Sequence, residues 1–419
     1  MFAKRTNWNL AANRLSEALA AHRAAGKPLL DLTVSNPTEC GFHYDEAAIL
    51  RALQNPAALK YTPDPQGLPA ARDAVRQYYA ARSVTPRMAA ATPDTGISKN
   101  SAAEIAADAE RGAAQHRGTP AIDDIFLTTS TSEAYSYVFR ALCDAHDEVL
   151  IPAPSYPLFE FLADIQDVRL VRYPLVYDHG WQIDFHSLQE AITGRTRAVI
   201  VVNPNNPTGN YCQPAEMRQL NEICAARGLA IVADEVFLDF SLKGGSPASF
   251  AGNADALTFT LSGISKICGL PQMKVAWAVV SGPEPQRAPA KARLEVIADT
   301  YLSLNAPLQW ALPPLLELRH GFQRQLAVRV RANLGELDRQ LAKHKSVNRL
   351  EVEAGWNAVL RVPATRADDE LALELLATKD VYVHPGHFYD FPSEGYLVVS
   401  LLTPEREFAD GLARLLAMF

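Results

Sequence analysis

The chain has 419 residues, enough for one large core and a smaller one, and its 48% apolar and 21% charged content describes a globular protein. A formal charge of −7 with no basic block argues against nucleic acid or an anionic membrane as partner. No apolar run reaches the roughly 18 residues of a membrane span, the first residues lack a signal-peptide core, and five scattered cysteines without CxxC spacing argue against a disulfide framework or a metal site and fit a reducing cytoplasm.

In chain order, Leu10, Leu15 and Leu19 predict an amphipathic helix over 9–25 that ends at Gly26. A strand over Leu29–Val34 then leads into the turn-forming Ser35-Asn36-Pro37-Thr38. Residues 85–120 are rich in Ala, Ser, Thr and Gly and read as a surface insertion with room for a short helix over 102–115. From residue 124 strands and helices alternate. Strands are expected at 125–128, 148–151, 168–173, 198–202, 229–233, 257–261 and 275–280, with a helix at 132–143 after the first. Short apolar runs separated by helices predict an α/β fold, a mostly parallel sheet covered on both faces, with ligand groups gathered at the carboxyl ends of its strands. Beyond about 305 the pattern changes to a long helix at 313–343, strands at 349–353, 357–362 and 396–402, and a last helix at 404–417. This gives an N-terminal segment (1–45) joining a smaller α+β domain (306–419), with a large domain (46–305) between them.

The residues with chemistry to offer sit at the predicted strand ends. Lys266 lies in Ser262-Gly263-Ile264-Ser265-Lys266, ahead of a Gly-Leu-Pro turn and a second cation, Lys274. An amine forms an imine readily only when part of it is neutral, and burial near another cation lowers its pKa. Asp234 closes an apolar strand, where a carboxylate can keep a pyridine nitrogen protonated. Asn206 lies in the rigid polar loop Asn203–Gly209 and offers a donor to a phenolic oxygen. Thr129-Ser130-Thr131-Ser132 joins a strand to a helix, so hydroxyls and backbone N–H groups converge at a helix start as a phosphate cradle. Tyr156 follows the next strand with an aromatic face suited to a flat ring.

In this order and at these separations, the segments resemble the class I/II aminotransferases of fold type I, which use pyridoxal 5′-phosphate. The likeness runs from Asp31-Leu-Thr-Val-Ser-Asn-Pro-Thr38 to Ser400-Leu-Leu-Thr-Pro404 and includes Lys60-Tyr61-Thr-Pro and Gly67–Arg72. It implies a Schiff base at Lys266, a ring-nitrogen partner in Asp234, a ring-oxygen contact from Asn206 and stacking by Tyr156. It also implies a phosphate site made by Ser130, Thr131, Ser265 and Lys274, completed by Tyr61 of a neighbouring subunit in a homodimer, and substrate contacts from Ser35 and Asn36. The implied reaction moves an amino group from an amino acid or other amine to a 2-oxo acid in two ping-pong half-reactions.

Three positions depart from the family pattern. Phe237 stands where a tyrosine usually supports the ring oxygen, which predicts an imine of higher pKa. Lys274 replaces an arginine and loses its bidentate grip on phosphate. Val398 stands where an arginine usually clamps the substrate carboxylate; Arg361 is a candidate substitute, and His384 or His387 in the cluster 384–389 a candidate reader of substrate. Val398 also keeps open a lyase, decarboxylase or synthase reaction on the same fold. A regulator without catalysis is disfavoured because no helix-turn-helix or basic extension is visible.

Overall fold

The computed structural model describes residues 2–84, 118–157, 159–245, 247–302 and 304–419. Nearly all of the expected insertion over 85–120, including the helix expected at 102–115, therefore lies outside the described residues. After β1 (Leu30–Asp31) come the strands of one large sheet: β2 (Ile125–Thr128), β3 (Glu148–Ala153), β4 (Arg169–Tyr177), β5 (Trp181–Ile183), β6 (Thr196–Val202), β7 (Ala230–Asp234), β8 (Thr258–Gly263) and β9 (Ala276–Ser281). Their spatial order is β2-β9-β8-β7-β6-β3-β4-β5. The run β8-β7-β6-β3-β4 is parallel, while β9 is antiparallel to both its neighbours and β5 is antiparallel to β4.

Burial on both faces explains why the central strands are continuous apolar runs. Along β6, Ala198, Ile200 and Val202 pack into one core while Val199 and Val201 pack into another across the sheet. In β7, Ala230 and Val232 join the first core and Ile231 and Ala233 the second. At roughly 25 cal/mol per Å² of buried apolar surface, such two-sided burial is a large local source of stability.

The remaining strands, β10 (Asn348–Arg349), β11 (Asn357–Arg361), β12 (Val381–Tyr382), β13 (His384–Pro385) and β14 (Tyr396–Ser400), form a smaller unit. A four-stranded antiparallel sheet has the order β10-β11-β14-β13, and β1 pairs in parallel with β12. Leu15, Leu32 and Cys40 from the N-terminal segment share one core with Leu397, Val399 and Phe408. The helix Ala306–Leu341 feeds two cores, with Leu312 and Leu315 in one and Phe322, Leu326 and Val330 in the other.

Several element boundaries differ from expectation for local reasons. The first helix spans Arg14–Ala24, because Asn13 accepts a hydrogen bond from Ser16 N at 2.7 Å and sets the start there. The strand expected over 29–34 shortens to β1, because the Asp31 carboxylate turns back to accept from Thr33 N and Oγ1 at 2.8 and 2.6 Å. The long helix starts at Ala306, behind an Asn305 cap and ahead of Pro313 and Pro314, which it carries inside. Helices Glu284–Tyr301 and Asp368–Lys379 were not read from the sequence.

Candidate active site

Strand register gathers the expected residues along one edge of the large sheet. Thr128 and Gly263 both lie opposite Ala276, Asp234 lies opposite Leu261, and Val202 opposite Asp234. The chain just beyond β2, β6, β7 and β8, and just before β9, therefore meets at the carboxyl edge of the parallel strands. Lys266 sits on the helical turn Ile264–Ile267 directly after β8. The chain then reverses at Gly269, whose φ is +64° and where a Cβ would strike the Phe322 ring at 2.6 Å.

Asp234 is held from two sides. Tyr135 donates to its Oδ2 at 3.0 Å and Val236 N donates to its Oδ1 at 3.1 Å. Burial outweighs these bonds and pushes the carboxyl up to about 6, with Lys266 pulling it down. Burial also keeps Tyr135 protonated, so its hydroxyl remains a donor. Lys266 is shifted the other way: desolvation lowers its pKa and Asp234 opposes that shift.

The Asn206 loop is fixed by its neighbours. Asn357 Nδ2 donates to Asn206 Oδ1 at 2.7 Å, which leaves the Asn206 amide nitrogen free to donate elsewhere. Asn205 Nδ2 reaches Pro154 O at 3.0 Å and Thr208 Oγ1 at 2.7 Å, tying this loop to the one that carries Tyr156. Gly209 closes it at φ +74°, where a Cβ would meet Ala354 O at 2.5 Å, so the loop docks tightly against the connection between β10 and β11.

Ser130 caps the helix Thr131–Leu142, its Oγ accepting from Glu133 N at 3.1 Å. Glu133 Oε2 in turn accepts from Thr129 N and Oγ1 at 2.6 and 3.0 Å. The N–H groups of Thr131 and Ser132 at the start of the helix remain available to an anion. Lys274 is exposed and adopts φ +51°, a conformation that costs a lysine about 1–2 kcal/mol. Ser265 lies on the turn of Lys266 itself. Two neutral donors, a cation and a helix start suit a phosphate; a desolvated amine, a desolvated carboxylate and an amide donor suit a polar aldehyde ring, so the residues present fit pyridoxal 5′-phosphate.

The other candidates are placed less alike. Val398 is buried on the face of β14 that packs with Val359, Tyr389 and Phe391, whereas Leu397 and Val399 face the opposite core. His384 lies beside Val398 in register and bonds Tyr389 Oη through Nδ1 at 3.1 Å; burial lowers its pKa. Arg361 is exposed at the end of β11 farthest from Asn357, about 13 Å along the strand at 3.3 Å per residue. His387 is half-exposed, 3.6 Å from Asp369. Ser35 is exposed, and Asn36 uses its Oδ1 to accept from Thr38 N and Oγ1. Tyr61 is 78% exposed. Tyr135, Trp356 and Asn357 were missed from sequence, since no local pattern marks a residue that meets the site only through folding.

A family model described as "Aminotransferase class I and II" matches residues 94–407. Glutamate-pyruvate aminotransferase AlaA of Escherichia coli K12 is 28% identical over 293 residues, 70% of this chain; the match spans only 64% of that protein's own length. The alanine aminotransferase of Mycobacterium tuberculosis is 26% identical over 401 residues, covering 94% of this chain and 86% of that one. Among solved structures, an alanine aminotransferase from Pyrococcus furiosus superposes with a TM-score of 0.82 at 19% identity, covering 100% of this chain and 99% of its own.

Proposed function

The chain belongs to the class I and II aminotransferase family, and from that premise we propose that it is a pyridoxal 5′-phosphate-dependent aminotransferase acting between an amino acid, or another amine, and a 2-oxo acid. The observation that carries the reading is the meeting at one sheet edge of a partly buried, desolvated lysine and a partly buried, tyrosine-bonded aspartate. When bound, the cofactor supplies an electron sink for the pair left at the donor's Cα.

The chain's own residues do the rest. Lys266 Nζ would hold the aldehyde and, once displaced by the donor, take the proton that leaves Cα; one positioned base contributes roughly 10²–10⁴-fold. Asp234 would hold a proton on the ring nitrogen, a task its buried carboxylate performs only as the anion. Asn206 would donate to the ring oxygen without help from Phe237, which has no polar atom. Tyr156 would cover the ring, and Ser130, Thr131, Ser265 and Lys274 would hold the phosphate with Tyr61 of a second subunit. We place the homodimer in the cytoplasm, a reading supported by five free cysteines.

Lys266→Ala should remove both turnover and the visible band of the bound cofactor. A variant with a normal band and normal turnover would falsify the site assignment. Alanine and glutamate are the first donors to screen, because the two relatives carry those substrates in their names. Simple amines belong in the same screen, because Val398 is buried among apolar side chains and offers no charge to a carboxylate. The same position favours the lyase reading as second choice. A donor that leaves the cofactor in its amine form supports transfer, whereas a donor that is fragmented while the aldehyde form returns supports a lyase.

A further inference from the structure

Two aromatic rings flank the amine of Lys266. Nζ lies 5.1 Å from the ring centre of Trp356 and 5.8 Å from that of Phe237. The rings stand at 89° with centres 4.7 Å apart, so they form a corner rather than a stack. Phe240 supports it from behind, 5.5 Å from Trp356 and 6.4 Å from Phe237. All three rings are buried in the core that holds β11 and β14, which fixes the corner by packing. Among the described residues Nζ makes no ion pair or hydrogen bond; Asp234 acts on it through space. A desolvated cation within about 6 Å of a ring centre is attracted by the π face.

We propose that Trp356, together with Phe237, is a positioning residue that holds the free ammonium of Lys266 in an aromatic corner of the cleft. The proposal rests on the reading of Lys266 as the reactive amine. The corner gives the amine a defined resting place whenever it is not covalently engaged. It also sets a balance: burial favours the neutral amine, and the two π faces favour the ammonium. Because the rings offer no hydrogen-bonding atom, the amine can leave for a carbonyl carbon without stranding a buried polar partner.

The ionisable groups around this turn are few. Asp234 lies at the end of β7 with Tyr135 bonded to it, and Lys274 is exposed on the turn that precedes β9. Cys268 and Tyr44, whose hydroxyl donates to Gly269 O, are kept neutral by burial. Behind them Asp239 is paired with Arg82 and bonded to Tyr78 and Gln323; Arg319 lies over the Tyr78 ring. The aromatic pair is thus the contact of Nζ that a substitution can remove without removing a charge.

Competitive acetylation of the full-length, cofactor-free protein across pH, resolved by peptide mass spectrometry, reads the midpoint at which Lys266 becomes reactive. Trp356→Leu should lower that midpoint by roughly 0.5–1.5 pH units, the range a desolvated cation–π contact corresponds to. Trp356→Phe should lower it less, since a phenyl face remains. Phe237→Leu should shift it in the same direction and provides the reading if Trp356→Leu does not fold. An unchanged or raised midpoint in the leucine variants overturns the proposal. Neither cofactor nor turnover enters the measurement, so this corner can fail while Lys266→Ala still abolishes the band, and the reverse outcome is equally distinct.

Discussion

Asp234 shows at the scale of one residue what the proposed ring-nitrogen partner costs the folded chain. Burial raises its carboxyl from an ordinary 3.8 to about 6 in the folded chain. Between those values the folded protein keeps a proton that the unfolded chain has released, so this group's contribution to stability falls as pH rises from about 4 to about 6. A shift of about two units corresponds to about 3 kcal/mol. Glu235, pushed up to about 7 while accepting from Ser249 Oγ at 2.6 Å and Phe250 N at 2.7 Å, adds a loss of the same sign at slightly higher pH. Asp234→Asn cannot titrate, so the stability of that variant relative to the parent should grow by up to about 3 kcal/mol between pH 4 and pH 6.5. Denaturant unfolding of the cofactor-free proteins measures it, and a pH-independent difference would mean that Asp234 titrates normally. A protonated ring nitrogen beside the carboxylate favours its charged form, so cofactor loading should flatten the parent's profile.

The helix Thr131–Leu142 joins stability to binding at the scale of an element. Ser130 Oγ accepts from Glu133 N through a lone pair, and its hydrogen remains free to point outward. Ser130→Ala should therefore cost about 1 kcal/mol as a lost cap, read as a lower Tm of the cofactor-free protein. It should also weaken pyridoxal 5′-phosphate more than pyridoxal, since only the former has a group for the cradle; equal weakening of both would reduce Ser130 to a cap alone. This strand-to-helix junction was legible in the sequence because a strand, four hydroxyl residues and a helix follow one another directly. The central strands were legible for a similar reason: two-sided burial leaves an unbroken apolar run. The short strands β5, β12 and β13 carry too few residues to show a period, and the strand expected at 349–353 shrinks to the two residues of β10. Tyr135, Asn357 and Trp356 were illegible because their partners Asp234, Asn206 and Lys266 lie roughly 90 to 150 residues away, and only the packed sheet edge brings them together.

At the scale of the whole molecule, the segment that bears Tyr61 is anchored at its base and bare at its tip. Arg72 is buried and bonds Gly67 O at 2.8 Å and Gln66 Oε1 at 2.7 Å, which ties the turn after Tyr61 to the helix Pro69–Val84. Tyr61 and Leu59 are nonetheless 78% and 93% exposed beside a groove of about 470 Å³ shared with Leu304 and Trp310. Exposed apolar side chains grouped around a groove mark a surface that another protein covers, and a second copy of this chain is the occupant proposed above. Two crippled variants test whether Tyr61 acts across that contact. In a mixed dimer of Lys266→Ala with Tyr61→Ala, one site would combine Lys266 of one subunit with Tyr61 of the other, while the second site would lack both. Co-expressed variants at limiting cofactor should then recover up to about a quarter of parental activity, the statistical share of such sites in a random mixture of symmetric dimers. If Tyr61 served its own subunit, every site in the mixture would lack one of the two residues and no activity would return. A monomer by light scattering would remove the shared site altogether.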